Sequence, residues 1–159
     1  MKTKYEMFID AVSYAMEDHS YNIQWFYDFD KQETVPFIEE AECYPENGHR
    51  LLRIEQLDSW ESFRIMEDFV DTVPEEADQD KLWSALCQRH PFSAFREMLH
   101  YTGLREKWFA YHDEQMQCIV ERWMEDKGIV YKDGLFSCNS NMVHEFYWED
   151  EDFEDLSVE

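Results

Sequence analysis

Basic residues are scarce. Fourteen Lys and Arg oppose thirty-seven Asp and Glu in a chain of 159, a formal charge of −23, and the last fifteen residues carry eight acids and no base. A surface of that sign repels phosphate and anionic lipid and attracts cationic proteins, basic peptides and divalent ions. Glycine is as sparse: Gly48, Gly103, Gly128 and Gly134 are scattered, so no G-x-G-x-x-G turn or P-loop can be built, which argues against dinucleotide and P-loop nucleotide binding. The G-x-S-x-G elbow is missing too, and His144-Glu145 lacks the second His of a zinc-protease helix. Cys43, Cys87, Cys118 and Cys138 stand more than nineteen residues apart at every step, which excludes a zinc knuckle and a redox C-x-x-C and fits reduced thiols in a cytosolic protein. No apolar run reaches signal-peptide length near the start or the roughly 18 residues of a membrane span. The expectation is a cytoplasmic protein with no membrane contact.

Apolar material is plentiful by contrast. It makes up 44% of the chain, with twelve Phe, nine Tyr and six Trp, whereas acidic disordered chains lack the side chains that offset ordering entropy. A chain of this size can bury roughly 68–70% of its unfolded surface. We therefore expect one α+β domain over residues 1–148, followed by a mobile acidic tail over 149–159.

The periodicity of the apolar residues places the elements. Met7, Phe8, Val12, Ala15 and Met16 suit one face of a short helix. Ile23, Trp25, Tyr27 and Phe29 then alternate with Asn22, Gln24 and Asp28, and Val35 and Phe37 follow a polar turn, which reads as a β-hairpin. Pro36 consigns the second strand to an edge, and Leu51–Ile54 returns to the sheet. Asp58 with Glu61 resembles a helix start, and the helix behind it is expected to bury Trp60, Phe63, Met66, Phe69, Val70 and Val73. Further helices are predicted around Leu82–Leu86, around Phe92–Thr102 up to Gly103, and from Leu104 to Lys127, the last with a stripe of Leu104, Trp108, Tyr111, Gln115, Ile119 and Trp123. Asp133-Gly134 favours a type I′ turn and so a second hairpin, and Met142–Trp148 could add another strand. The expected fold is an antiparallel sheet from the two hairpin regions packed against a bundle of about four helices.

The strings RHPFSAFREML at 89–99, Gly103-Leu104, EKWFAY at 106–111, Trp123 and DKGI at 126–129 resemble the signature of Uncharacterised Protein Family 0158, a bacterial group. The likeness covers about residues 5–129. Its departures are His90-Pro91, where the family has a small residue, and the segment after Ile129, which looks like an addition. The resemblance implies a small α+β fold and supplies no catalytic residue, since the family has no established activity.

Cys87 and Cys118 lie on amphipathic helices, where a small buried thiol is the ordinary role, so no catalytic residue is assigned. Asp28-x-Asp30-x-Gln32 with Glu39 imitates a calcium loop, but Glu33 replaces the obligatory glycine and the flanks are strand-like, so a hairpin turn is read instead. No metal or cofactor is assigned. Arg96, His100 and His112 lie in the least acidic stretch, and a cleft between their two helices forms a candidate anion pocket beside the simpler role of neutralising nearby carboxylates. Aromatics without a basic groove argue against direct nucleic-acid binding, although 23 net charges equal those of roughly 39 Å of duplex, so the chain could mimic nucleic acid. The leading reading is a non-catalytic interaction protein that binds a basic protein or peptide through Trp148, Glu149, Asp150, Glu151, Asp152, Phe153, Glu154 and Asp155. The alternative is a small metal-dependent hydrolase or transferase using carboxylates. Nothing in the sequence fixes the oligomeric state.

Overall fold

The computed structural model describes residues 1–147. In chain order the elements are α1 (Lys4–Glu17), β1 (Gln24–Asp28), β2 (Glu33–Phe37), β3 (Arg50–Ile54), α2 (Ser59–Thr72), α3 (Glu76–Leu86), α4 (Pro91–Thr102), α5 (Arg105–Lys127), β4 (Ile129–Lys132), β5 (Leu135–Cys138) and β6 (His144–Glu145). The fold is α+β, with five helices among the described residues. The described residues divide into two compact units: 1–56 with 119–147, and Leu57–Cys118. Helix α5 is shared between them in sequence.

In the first unit an antiparallel sheet runs in the order β2-β1-β3-β6. Strand β2 lies at the edge, as Pro36 requires. Helix α1 is held at its start by a capping box: the Thr3 hydroxyl accepts from the Glu6 N–H and the Glu6 carboxylate accepts from the Thr3 N–H, satisfying two otherwise orphan donors. Its buried face, Phe8, Ile9, Val12, Ala15 and Met16, supplies one side of the core. Phe8 stacks on Phe136 at 3.9 Å between ring centroids and meets Tyr27 edge-on at 4.9 Å. Tyr5 donates to the Glu121 carboxylate at 2.6 Å; burial, then that bond and charge, push its hydroxyl pKa up to about 12.

The second hairpin, β4–β5, keeps a two-stranded ladder of its own. Asp133 and Gly134 both take positive φ, 55° and 78°, the type I′ geometry its sequence favours. The two hairpin regions are joined by a side chain where one continuous sheet was expected. The Gln32 amide donates to the Phe136 carbonyl at 2.8 Å and accepts from the Phe136 N–H at 2.8 Å, so it imitates a strand neighbour. Among the described residues, it is β6, two residues long, that carries the segment after β5 into the main sheet, pairing with Arg50 and Leu51.

In the second unit Met66, Phe69, Val70, Val73, Leu82, Leu86, Phe95 and Leu99 form one buried cluster, flanked by Phe63, Trp108 and Tyr111. The Phe95 ring meets Trp108 at 5.1 Å and Phe69 at 6.4 Å. Gly103 ends α4 at φ 71°, and the Leu104 N–H returns to the Leu99 carbonyl at 3.1 Å, a left-handed cap that glycine adopts without strain.

Four sequence expectations need correction. Trp60 is 61% exposed: at 100° per residue it lies roughly 150° around α2 from the centre of the face formed by Ile65, Met66, Phe69, Val70 and Val73. Asp58 is the N-cap of α2 but makes no side-chain cap bond. Cys87 and Cys118 are both exposed; Cys118 sits roughly 200° around α5 from buried Met116. Asp28, placed by alternation on the polar face of β1, is fully buried.

Candidate functional site

The expected partner-binding residues Trp148, Glu149, Asp150, Glu151, Asp152, Phe153, Glu154 and Asp155 lie outside the described residues. Thirty of the thirty-seven acids precede them, and these share the chain with only fourteen bases. Ion pairs among the described residues include Lys2 with Asp10 and Lys31 with Glu33 at 3.1 Å, which join exposed groups, and the half-buried Lys127 with exposed Glu55 at 3.1 Å. Pairs between exposed groups add little to stability, and fourteen bases are too few to neutralise thirty-seven acids.

The charge is unevenly spread within the second unit. Residues 58–80 hold nine acids and one base, Arg64, and Asp58, Asp68, Asp71, Glu75, Glu76 and Asp80 are exposed. Asp68 and Asp71 of α2 and Glu114 of α5 converge on Tyr111, whose hydroxyl pKa is raised by burial first and then by these three charges. Elements distant in sequence therefore build a common acidic surface there.

Arg96 and His100 are exposed on α4. His112 is half-buried on α5, with Nδ1 3.5 Å from Asp113 and its ring 5.4 Å from Trp108. The expectation put a cleft between these two helices. A cleft of about 450 Å³ opens one helix earlier, on α3 and α4, where Gln88, Arg89, His90, Ser93, Glu97 and Tyr101 contribute to its wall, and none of Arg96, His100 and His112 lines it. A guanidinium, an imidazole and a carboxylate share that wall, so it has no single sign of charge.

One constellation escaped the sequence reading. Buried Asp28, at the end of β1, accepts on Oδ1 from the N–H groups of Asp30 and Lys31, each at 2.9 Å, which makes the Asx turn that starts the β1–β2 connection. Its Oδ2 faces His49 Nδ1 at 2.7 Å. The other imidazole nitrogen, Nε2, faces Glu46 at 3.2 Å, and the Asp30 carboxylate accepts from the Arg50 N–H at 2.7 Å. Asp28, Asp30 and His49 thus place oxygen and nitrogen atoms within 4.8 Å of one another, and the bonds just described engage all three. Hydrogen bonding to Asp28 is the largest cause of a raised His49 pKa; the charges of Asp28, Glu46 and Asp30 add to it, and desolvation opposes it. The stretch 28–37 is strand, turn and strand, and Glu39 lies in the turn beyond it, as the hairpin reading of the calcium-like pattern required. The pattern signalled an Asx turn, whereas His49, 21 residues from Asp28, carries no local sign of its partner.

The model of the uncharacterised protein family UPF0158 matches residues 6–139. A UPF0158 protein of Pseudomonas aeruginosa is 35% identical over 81 residues, 50% of this chain and 53% of the relative. The aligned stretch spans about half the length of that curated relative. No solved structure matches. The chain belongs to this family. The match runs through β4 and β5, so the second hairpin, expected to be an addition after Ile129, is family material. Among the described residues no helix is long and apolar enough to cross a membrane.

Proposed function

We propose that this member of the uncharacterised family UPF0158 is a non-catalytic acidic protein that engages a cationic protein or basic peptide. The observation that supports this reading is the excess of exposed carboxylates over the bases able to neutralise them, seen at 58–80 and at Asp68, Asp71 and Glu114. Electrostatic attraction over that surface speeds encounter and selects partners by sign. Exposed aromatics such as Trp60, 61% exposed beside the acids of α2, suit the methylene stems and cationic heads of Lys and Arg. The sequence after residue 147 adds seven acids, with Trp148 and Phe153 among them, in the manner of a charged segment with hydrophobic anchors. A place in the cytoplasm, where the cysteines stay reduced, completes the reading.

The test is capture of a panel of purified basic proteins across a salt series, with the full chain and a chain lacking 149–159. Saturable capture that weakens steeply with salt, and weakens again on truncation, supports the reading. Capture that ignores ionic strength and survives the truncation overturns it. Nucleic-acid mimicry, a narrower form of the same idea, requires competition with duplex DNA for a DNA-binding member of the panel at low salt; failure to compete removes that form alone.

A further inference from the structure

We propose that His49 is a proton-operated clamp that fastens the start of β3, and through it β6, to the β1–β2 turn. Each ring nitrogen faces a carboxylate, Asp28 at 2.7 Å and Glu46 at 3.2 Å. An ionised carboxylate only accepts hydrogen bonds, and a neutral imidazole has a single N–H to give, so only the imidazolium satisfies both. The other charged groups around the ring are accounted for. Asp30 is held by the Arg50 N–H. The Arg50 guanidinium donates to the Cys138 carbonyl at 3.0 Å, and Arg50 sits opposite Glu145 across the β3–β6 pair. Lys31 lies 3.1 Å from Glu33 and 3.9 Å from Glu46.

The two arms of the clamp differ in kind. Asp28 is sealed from water, whereas the Glu46 side chain is 61% exposed. On losing a proton the ring keeps its N–H for Asp28, whose Oδ2 water does not reach. Glu46 is then repelled by the Nε2 lone pair and turns to water or to Lys31. The slack falls where β6 is attached: the Gly48 N–H donates to the Phe146 carbonyl at 2.6 Å and the Phe146 N–H to the His49 carbonyl at 2.8 Å. A strand two residues long has few other bonds with which to resist.

The sign follows from linkage. The folded pKa of His49 lies above its unfolded value, so its contribution to stability is fully present below the ordinary histidine pKa of about 6.5 and is lost as pH rises through the folded value. The clamp rests on bonds within one unit and would stand if the charge-driven binding proposal failed.

The experiment is an NMR titration of the His49 ring nitrogens from about pH 5 to about pH 9, the range in which imidazoles change charge. It is read beside hydrogen exchange at the Phe146 and Gly48 amides, normalised to unfolded-chain rates. The expected result is a His49 midpoint above that of free histidine, with a several-fold loss of protection at both amides in step with deprotonation. Glu46→Gln, a change at an exposed position, should move the midpoint and the loss of protection together to lower pH. A His49 midpoint at or below the free value, protection that ignores the titration, or an unmoved midpoint in E46Q would each overturn the proposal.

Discussion

Asp28→Ala should be among the more damaging single changes in the first unit, and Asp28→Asn should recover much of the loss. The alanine removes an acceptor with three partners: the Asp30 and Lys31 N–H groups at 2.9 Å each and His49 at 2.7 Å. A buried donor left without its acceptor costs about 1–3 kcal/mol. The two turn amides are only partly buried and can find water when the turn loosens, so the lower end applies to them. Adding the vacated space, about 3–5 kcal/mol is expected for the alanine, the range seen when one partner of a buried pair is removed. In the asparagine the amide oxygen can still serve both turn N–H groups, and its NH₂ can donate to a neutral His49, so about 1–2 kcal/mol is expected from losing the charge-assisted bond. The measurement is urea unfolding followed by far-UV circular dichroism and by tryptophan fluorescence. Coincident transitions and an unchanged slope license reading the midpoint shift as stability. An alanine cost below about 1 kcal/mol would mean that the buried node carries no stability. An asparagine as harmful as the alanine would show that charge, and not acceptor geometry, is what the turn needs.

Phe95→Ala removes a ring packed between Trp108 and Phe69 and should cost about 3–5 kcal/mol, while Phe92→Ala, 41% exposed on the same helix, should cost far less; equal midpoints in urea would contradict the core assignment. Gly103→Ala places a Cβ at φ 71° where no neighbour lies within 4 Å, so the penalty is conformational alone, about 1–2 kcal/mol, and should show as a lowered melting temperature. Sodium chloride should raise the melting temperature of the full chain, because screening relieves repulsion among carboxylates that 14 bases cannot balance. A flat salt response would mean that the acids are neutralised internally and would remove the basis of the binding proposal.

What the sequence revealed depended on the range of the interaction. Positive-φ positions are written in one or two residues, so the Asp133-Gly134 turn and the Gly103 cap were legible, and Pro36 announced an edge strand by the donor it lacks. The extent of α5 was legible because helical periodicity repeats over 23 residues, but its buried Met116, Val120 and Met124 lie one residue beside the expected stripe, and Trp60 was misplaced because one turn offers too few positions to fix the angle of a face. Asp28 was beyond this reading for a different reason. Alternation along β1 marks where side chains point, and a carboxylate is sent inward only when partners elsewhere satisfy it. Two of those partners are the next turn's own amides, which the Asp-x-Asp pattern hints at, but the third is His49, brought in by β3.

The same logic separates the two functional features. Net charge survives any rearrangement of the chain, so it could be read before any fold was known, and it identifies a class of partner without identifying a place. The His49 clamp has the opposite character. It exists only because β1 pairs with β3 in one register, Asp28 opposite Leu51, which sets the residue two places before Leu51 against a buried carboxylate. A two-residue slip of that ladder would keep every side chain on its face and leave the charge untouched, yet it would carry the imidazole roughly 7 Å along the strand and break the clamp. Proton sensing in this chain is therefore a property of register, and charge-driven recognition a property of composition.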